Sequence, residues 1–166
     1  MTPRAGAQPR GGMGAGEVVR QPGCELCEQP GGTLVWQDGH WRIVRVADPA
    51  FPAFYRLVSQ AHHREWTDVP PPERRRGVAL LEAIEQVLRQ ELPQAKINLA
   101  SFGNVVAHVH WHVVARFPWD SHFPQPVWGT RQREPDAARL RALVARCPAW
   151  DEAVRAAAAR AAGPAA

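Results

Sequence analysis

The sequence predicts an α+β domain with an antiparallel five-stranded sheet, a covering helix and a C-terminal helical extension. Three observations favour this class: short runs of apolar residues with polar residues between them, an Asp-Gly pair between the first two runs, and one long segment of helical periodicity in mid-chain. The elements follow one another in the order β-β-β-α-β-β, which is typical of an α+β domain.

The first three strands are expected before the helix. The stretch TLVWQDGHWRIVRV contains two apolar runs joined by Asp38-Gly39, a dipeptide that favours a tight hairpin turn. A connection with two prolines, ADPAFPAF, follows, and YRLVSQ is the third candidate strand. We therefore expect a hairpin and then a third strand that ends near His62.

The covering helix is expected to begin in DVPPPERRR, because proline is tolerated in the first turn of a helix. Leu80, Ile84, Val87 and Leu88 then recur at helical spacing, and Pro93 ends the segment. The apolar stripe that these residues form is expected to cover the sheet.

The last two strands follow the helix. KINLASFG predicts the fourth strand, and residues 104–116 predict the fifth. A loop rich in proline and aromatic residues, FPWDSHFPQPVWG, comes next. Residues 135–161 have a helical pattern that contains Pro148, so we expect one broken helix or two.

The chain of 166 residues is long enough for one domain with a proper core and too short for two ordinary ones. Residues 1–22 are rich in glycine, proline and arginine and lack the apolar segment of a signal peptide, which predicts a disordered tail. We place the domain at residues 23–132 and the C-terminal helical extension at residues 133–166.

Charge and hydropathy indicate the partners. Three arginines against Glu17 place +2 of the formal net charge of +4 in the tail, which is weak support for nucleic-acid binding, so no specific nucleic-acid partner is expected. No segment approaches the roughly 20 apolar residues that cross a bilayer, so no membrane partner is expected either. Cysteines in a chain without a secretion signal predict a reducing compartment, and hence a cytoplasmic location.

Three histidines alternate with apolar residues in HVHWHVV. Because successive side chains of a strand point to opposite faces, His108, His110 and His112 are expected to share one face. Two chemical interpretations follow from the residues alone. The rings can converge on one metal ion, or a neutral imidazole can attack phosphorus while a neighbouring histidine assists the departing group.

Cys24 and Cys27 form a CxxC pair. In a reducing compartment such a pair is more often metal-binding or redox-active than a structural disulfide. A four-coordinate zinc site requires two further ligands, and the spacing of the cysteines does not identify them.

The HVHWHVV segment resembles the His-φ-His-φ-His-φ-φ signature of the histidine triad (HIT) superfamily of nucleotide hydrolases and transferases. Asn98 precedes the triad at the usual distance. Asn104 follows Gly103 where many members have Gly-Gln, and Arg116 follows Ala115 where Pro-Arg is common.

The similarity runs from about Cys24 to Trp128. It is closest to bacterial HIT proteins of the diadenosine tetraphosphate hydrolase-like kind, which have a similar INLASxGNVV segment and a following FPxPxW loop. The resemblance implies an α+β HIT-like fold and a homodimer. It also implies hydrolysis or transfer at the α-phosphate of a purine nucleotide derivative, either a dinucleoside polyphosphate or a nucleoside phosphoramidate.

The resemblance assigns roles to the triad. His110 is the nucleophile that becomes nucleotidylated, His112 contacts the bridging oxygen and assists the leaving group, and His108 orients the site or binds a metal. Catalysis needs no metal in this scheme. A metal-dependent hydrolase that uses all three histidines and a non-catalytic nucleotide-binding or zinc-stabilised interaction protein remain as alternatives.

The same resemblance implies nucleotide contacts. Asp48 stands where members place an acidic residue against the ribose hydroxyls, although an aspartate before proline also commonly begins a turn. Asn98 and Asn104 are the other candidate nucleotide-binding residues. Asn104 is one methylene shorter than the usual glutamine, and Ala53-Phe54 stands where members often have a Gly-His or Thr-His pair.

Several HIT proteins with an N-terminal CxxC are thought to complete a zinc site with two histidines. By this resemblance the structural zinc ligands are Cys24, Cys27, His62 and His108. His63 is the alternative to His62.

Overall fold

The computed structural model describes residues 18–163. Five strands form one antiparallel sheet in the spatial order β1-β2-β3-β5-β4. This confirms the predicted α+β fold. The strands are β1 Thr33–Gln37, β2 Trp41–Arg45, β3 Phe54–Ser59, β4 Lys96–Ala100 and β5 His110–Arg116.

Three α-helices accompany the sheet: α1 Glu25–Glu28, α2 Pro71–Glu91 and α3 Ala137–Ala162. A 3-10 turn, Trp66–Asp68, precedes α2. Among the helices within residues 18–163, none combines the length and the apolar character that a membrane crossing requires.

The predicted disordered tail falls mostly on residues 1–17, which lie outside the described residues. Its last part contacts the domain. The backbone amide of His62 donates to the carbonyl of Val19 over 2.8 Å, and the side chain of Arg20 donates to the carbonyl of Cys27. Residues near the predicted end of the tail therefore pack beside the CxxC segment.

The predicted hairpin joins β1 and β2. The Oδ1 atom of Asp38 accepts hydrogen bonds from the backbone amides of His40 and Trp41, at 2.8 and 2.7 Å, which is the turn geometry that aspartate favours. β2 then pairs with β3 in register, with Ile43 opposite Leu57.

The two long helices cover one face of the sheet. Tyr55, Leu57 and Val113 on that face are fully buried, as are Leu80, Ile84 and Leu88 of α2, Trp150 and Val154 of α3. The apolar stripe of α2 therefore packs on the sheet, as its spacing predicts.

Helix α3 is continuous, and the expected break near Pro148 is wrong. Leu143 and Cys147 precede the proline, Trp150 and Val154 follow it, and all four belong to the main core. A proline inside a helix costs about 3 kcal/mol, but this packing on both sides holds the helix in one piece. The C-terminal segment therefore contributes to the core of the domain.

A substitution on α3 tests this contribution. We expect Trp150→Ala to lower the free energy of unfolding by about 3–5 kcal/mol, because the indole is fully buried. The matched control is Val144→Ala, since Val144 lies on the same helix and is 52% exposed. Chemical denaturation of both variants provides the comparison, and equal stabilities would show that α3 is only an appendage.

Candidate active site and candidate metal centre

The face of the sheet away from α2 and α3 carries the histidines. Along β5, Val113 and Ala115 belong to the helix-covered core, so His110 and His112 lie on the opposite face. The strand begins at His110 rather than at residue 104. His108 therefore lies in the segment that leads into the strand, yet its side chain is buried with those of His110 and His112.

The His110 ring is oriented by its own chain. Its Nδ1 lies 2.6 Å from the carbonyl oxygen of His108, so Nδ1 carries the proton and donates a hydrogen bond to that carbonyl. The other ring nitrogen, Nε2, is then the unprotonated one. Burial lowers the pKa of His110, which favours this neutral form. A neutral imidazole with a free Nε2 is the form that can act as a nucleophile.

His112 lies among aromatic rings. Its ring centroid is 4.8 Å from that of His110, 4.7 Å from Trp128 and 5.5 Å from Phe54. Burial, followed by the nearby His110 and Arg56, lowers the pKa of His112 to about 3. Its Nδ1 is buried and has no hydrogen-bond partner within residues 18–163. His112 is therefore a neutral imidazole with polar capacity left for a ligand.

Cys24, Cys27, His62 and His108 form one compact cluster. One ligand atom from each residue lies within 4.8 Å of all the others. The Nδ1 of His108 is 3.4 Å from the Sγ of Cys24 and 3.5 Å from that of Cys27, and the Nδ1 of His62 is 3.4 Å from the Sγ of Cys27. His63, the alternative considered from the sequence, is not a member of the cluster.

The cluster has the dimensions of a tetrahedral metal site. Zinc bonds of about 2.3 Å to sulfur and about 2.0 Å to nitrogen place neighbouring sulfur and nitrogen ligands about 3.5 Å apart. The other ring nitrogen of His108, Nε2, donates to the carbonyl of Ser59 over 2.8 Å, which leaves Nδ1 unprotonated and directed at the sulfurs. Such a backbone partner is usual for a metal-binding histidine. Cys24, Cys27, His62 and His108 can therefore hold a metal ion.

Arg42 fixes the cysteine-bearing segment to the sheet. Its buried guanidinium donates to the carbonyls of Leu26 and Pro30, at 2.5 and 3.1 Å. Leu26, in turn, packs against Val44 and Val58 on the site face. Helix α1 therefore covers one end of this face and presents both cysteines to His108.

A cavity of about 450 Å³ opens beside His110 and His112. A cavity of this size fits a small ligand. Its wall combines charged, polar and apolar side chains: Glu25, Leu26, Arg56, Phe102, Asn104, Val105, Val106, His110, His112 and Trp128.

A second cavity lies on the other side of Phe102 and Trp128, and His112 also lines it. The rings of Phe102 and Trp128 are in edge contact, with centroids 4.9 Å apart. These two side chains therefore form an aromatic wall between the cavities, beside His112.

The candidate nucleotide-binding residues occupy different places. Asn104 lines the first cavity and Asn98 lines the second. Asn98 Oδ1 accepts a hydrogen bond from Arg116 over 3.1 Å, so its amide NH2 group is free to donate. Asp48 begins a turn, where its Oδ1 accepts from the amides of Ala50 and Phe51.

A buried ion pair holds the loop that follows β5. Arg116 and Asp120 form two charge-assisted hydrogen bonds of 2.8 and 3.0 Å, and Arg116 also donates to the carbonyl of Gln125. Asp120 accepts from three backbone amides of the loop as well. This network fixes the loop whose far end carries Trp128.

Arg56 was not among the residues singled out from the sequence. It pairs in register with His112 across β3 and β5, and it lines the first cavity. The signal in the sequence was a lone arginine inside the apolar run YRLVSQ, at a position that alternation assigns to the same face as Phe54 and Val58.

Comparison of the chain with known protein families and solved structures agrees with this fold and site. Residues 28–119, more than half of the chain, match the HIT domain family, and the protein belongs to that family. This confirms the resemblance that the triad signature predicts. Family membership supports a nucleotide-binding or nucleotide hydrolase/transferase activity. The closer likeness to diadenosine tetraphosphate hydrolase-like proteins stays a prediction.

Solved structures of histidine triad proteins have the same fold. One from Sinorhizobium meliloti 1021 is 28% identical, with a TM-score of 0.58 over 75% of this chain and 93% of that one. One from Bradyrhizobium japonicum is 21% identical, with a TM-score of 0.61, and the match covers 79% of this chain and 97% of that one. A Zn-bound histidine triad family protein from Mycobacterium smegmatis is 23% identical, with a TM-score of 0.51, and the match covers 79% of this chain and 97% of that one. No curated protein sequence matches the chain significantly.

Proposed function

We propose that this protein hydrolyses or transfers the nucleotidyl group of a purine nucleotide derivative, by attack of His110 at the α-phosphate. The substrate class is a dinucleoside polyphosphate or a nucleoside phosphoramidate. The observation that carries the proposal is the hydrogen bond from His110 Nδ1 to the carbonyl of His108, which leaves a neutral Nε2 for attack.

In the first step, the lone pair of His110 Nε2 forms a bond to phosphorus and the bond to the leaving group breaks. The leaving group takes the bonding pair and departs as a phosphate anion from a dinucleoside polyphosphate, or, with a proton from solvent, as an amine from a phosphoramidate. His112 assists as a hydrogen-bond donor to the bridging atom. Its lowered pKa favours a neutral ring, which donates through its single N–H. In the second step, water attacks phosphorus and releases one proton to solvent, the phosphorus–nitrogen bond breaks with its electron pair returning to Nε2 of His110, and the nucleoside monophosphate is released.

The aromatic wall of Phe102 and Trp128 supports a nucleotide as the ligand, because these rings offer apolar faces against which a purine can stack. Asn98 and Asn104 donate to phosphate or sugar oxygens in this proposal. Asp48 uses Oδ1 for its own turn, which leaves Oδ2 for the ribose hydroxyls.

We also propose that the Cys24, Cys27, His62 and His108 cluster binds a structural zinc ion. Two thiolates and two imidazoles are an established zinc ligand set, and the distances of the cluster support it. The Zn-bound relative from Mycobacterium smegmatis is consistent with this proposal. The metal would stabilise the segment around α1, and the catalytic scheme does not pass through it.

The proposed partners are a purine nucleotide and a second copy of the chain. β4 is an edge strand of the sheet, and Leu99 on it is 44% exposed, which supports a homodimer formed through that edge. A cytoplasmic location is proposed from the three free cysteines.

Substitution of the nucleophile tests the activity. We expect His110→Ala to lower the turnover of a dinucleoside polyphosphate or a nucleoside phosphoramidate by at least about a thousandfold, because the covalent step needs that imidazole. Binding of AMP should change only a few-fold. Acid quench of the wild type followed by peptide mass spectrometry should reveal a nucleotidyl group on His110.

The matched control is His40→Ala, since His40 is exposed and outside the cavity. It should react like the wild type. Full turnover by His110→Ala would contradict the assignment. A wild type that binds AMP but forms no adduct and turns over no substrate would instead favour the non-catalytic nucleotide-binding protein.

Metal analysis tests the zinc proposal. Protein purified without a histidine tag should contain about one zinc per chain. The double variant Cys24→Ser/Cys27→Ser should contain none and should melt several degrees lower, because metal binding and folding are coupled. Cys147→Ala is the matched control: Cys147 is also a buried thiol but lies in the main core, so this variant should keep its zinc. Zinc that survives loss of both cysteines would contradict the proposed ligand set.

A further inference from the structure

Arg56 is a cation at the centre of the site face. It lies on β3 directly opposite His112, so both side chains project to the same side of the sheet. Together with His110 and His112 it lines the cavity of about 450 Å³. Among the side chains that line this cavity, it is the only one with a full positive charge at neutral pH.

The arginines of the other strands are paired, and Arg56 is not. Arg45 forms a salt bridge with Asp151 at 3.0 Å, Arg116 forms one with Asp120 at 2.8 Å, and Arg42 donates to backbone carbonyls. Within residues 18–163, Arg56 forms no salt bridge, and its Nε is buried with no hydrogen-bond partner. The side chain of Arg56 is half-buried, and its buried Nε–H without an acceptor is destabilising unless a ligand supplies one.

The surroundings of Arg56 fit an anion rather than a structural partner. Its guanidinium carbon lies 5.8 Å from the centre of the Phe54 ring, which supports the side chain from one side. Glu25 is the only acidic residue that lines the cavity. It is exposed and attracts Arg56 through its charge, but within residues 18–163 it forms no salt bridge with Arg56. The cavity therefore presents the planar guanidinium of Arg56, which has no hydrogen-bond acceptor for its Nε within residues 18–163, beside the imidazoles of His110 and His112.

We propose that Arg56 is the phosphate-binding residue of this site and holds the non-bridging oxygens of the α-phosphate next to His110. This inference rests on the proposed function. A nucleophilic His110 has to be neutral, so it cannot balance the charge of the phosphate. A guanidinium can, and its parallel N–H groups match two phosphoryl oxygens. Arg56 is thus a specificity residue that distinguishes a nucleotide from its nucleoside.

Titration calorimetry with AMP and with adenosine tests this role. The wild type should bind AMP more tightly than adenosine. Arg56→Gln should weaken AMP binding by roughly 10- to 100-fold, the usual effect of losing hydrogen bonds to a charged group, and should leave adenosine binding unchanged. Arg56→Lys keeps the charge without the planar donor pair, so it should bind AMP with intermediate affinity.

Two further variants sharpen the test. Glu25→Gln removes the one negative charge from the cavity wall and should tighten AMP binding several-fold, the opposite direction from Arg56→Gln. Arg75→Gln is the matched control: it makes the same charge change at an exposed position of α2, on the other side of the sheet, and should bind both ligands like the wild type.

The thermal stability of Arg56→Gln separates binding from folding. Within residues 18–163, Arg56 has no hydrogen bond or salt bridge to lose, only its contact with the Phe54 ring, so this variant should melt close to the temperature of the wild type. An unchanged preference for AMP over adenosine in Arg56→Gln would overturn the inference, and so would a wild type that binds both ligands equally. Either result would leave the His110 adduct, and with it the proposed function, unaffected. Absence of the adduct in a wild type that still prefers AMP would overturn the proposed chemistry of His110 but not the role of Arg56.

Discussion

The site depends on the position of one residue, His108, which is tied to its surroundings in three directions. Its Nδ1 lies against the two cysteine sulfurs, its Nε2 donates to the carbonyl of Ser59, and its own carbonyl accepts a hydrogen bond from Nδ1 of His110. The first two contacts fix the ring, and the third fixes the tautomer of the neighbouring histidine. His108 thereby connects the cluster that can hold a structural metal with His110, the histidine suited to nucleophilic attack.

The sheet gives this arrangement a rigid base because its two faces have different partners. One face is sealed by α2 and α3, with Trp150 and Leu88 among the fully buried side chains. Among the described residues, the other face is covered by α1 on one side, by the loop held by Arg116 and Asp120 on the other, and by residues 102–106. The space left between them is the cavity beside His110 and His112, and it is bounded by groups that the fold holds in place.

Local patterns predicted the features that depend on local chemistry. The Asp38-Gly39 turn, the stripe of α2 and the alternation of His110 and His112 all follow from the spacing of neighbouring residues. The course of α3 through Pro148 did not, because it depends on packing against residues distant in sequence. Likewise, a lone arginine in a strand is ordinary until its partners are known, and the missing acceptor of Arg56 is visible only in three dimensions.

We infer that His108 holds His110 in the tautomer with its proton on Nδ1 and a free Nε2. Two-bond proton–nitrogen NMR spectra of the ¹⁵N-histidine-labelled protein report directly which ring nitrogen carries the proton. Near neutral pH, we expect a protonated Nδ1 and an unprotonated Nε2 for His110, and the reverse assignment for His108. A His110 ring with its proton on Nε2 would contradict this, because Nε2 could then not attack phosphorus and Nδ1 could not donate a hydrogen bond to the His108 carbonyl.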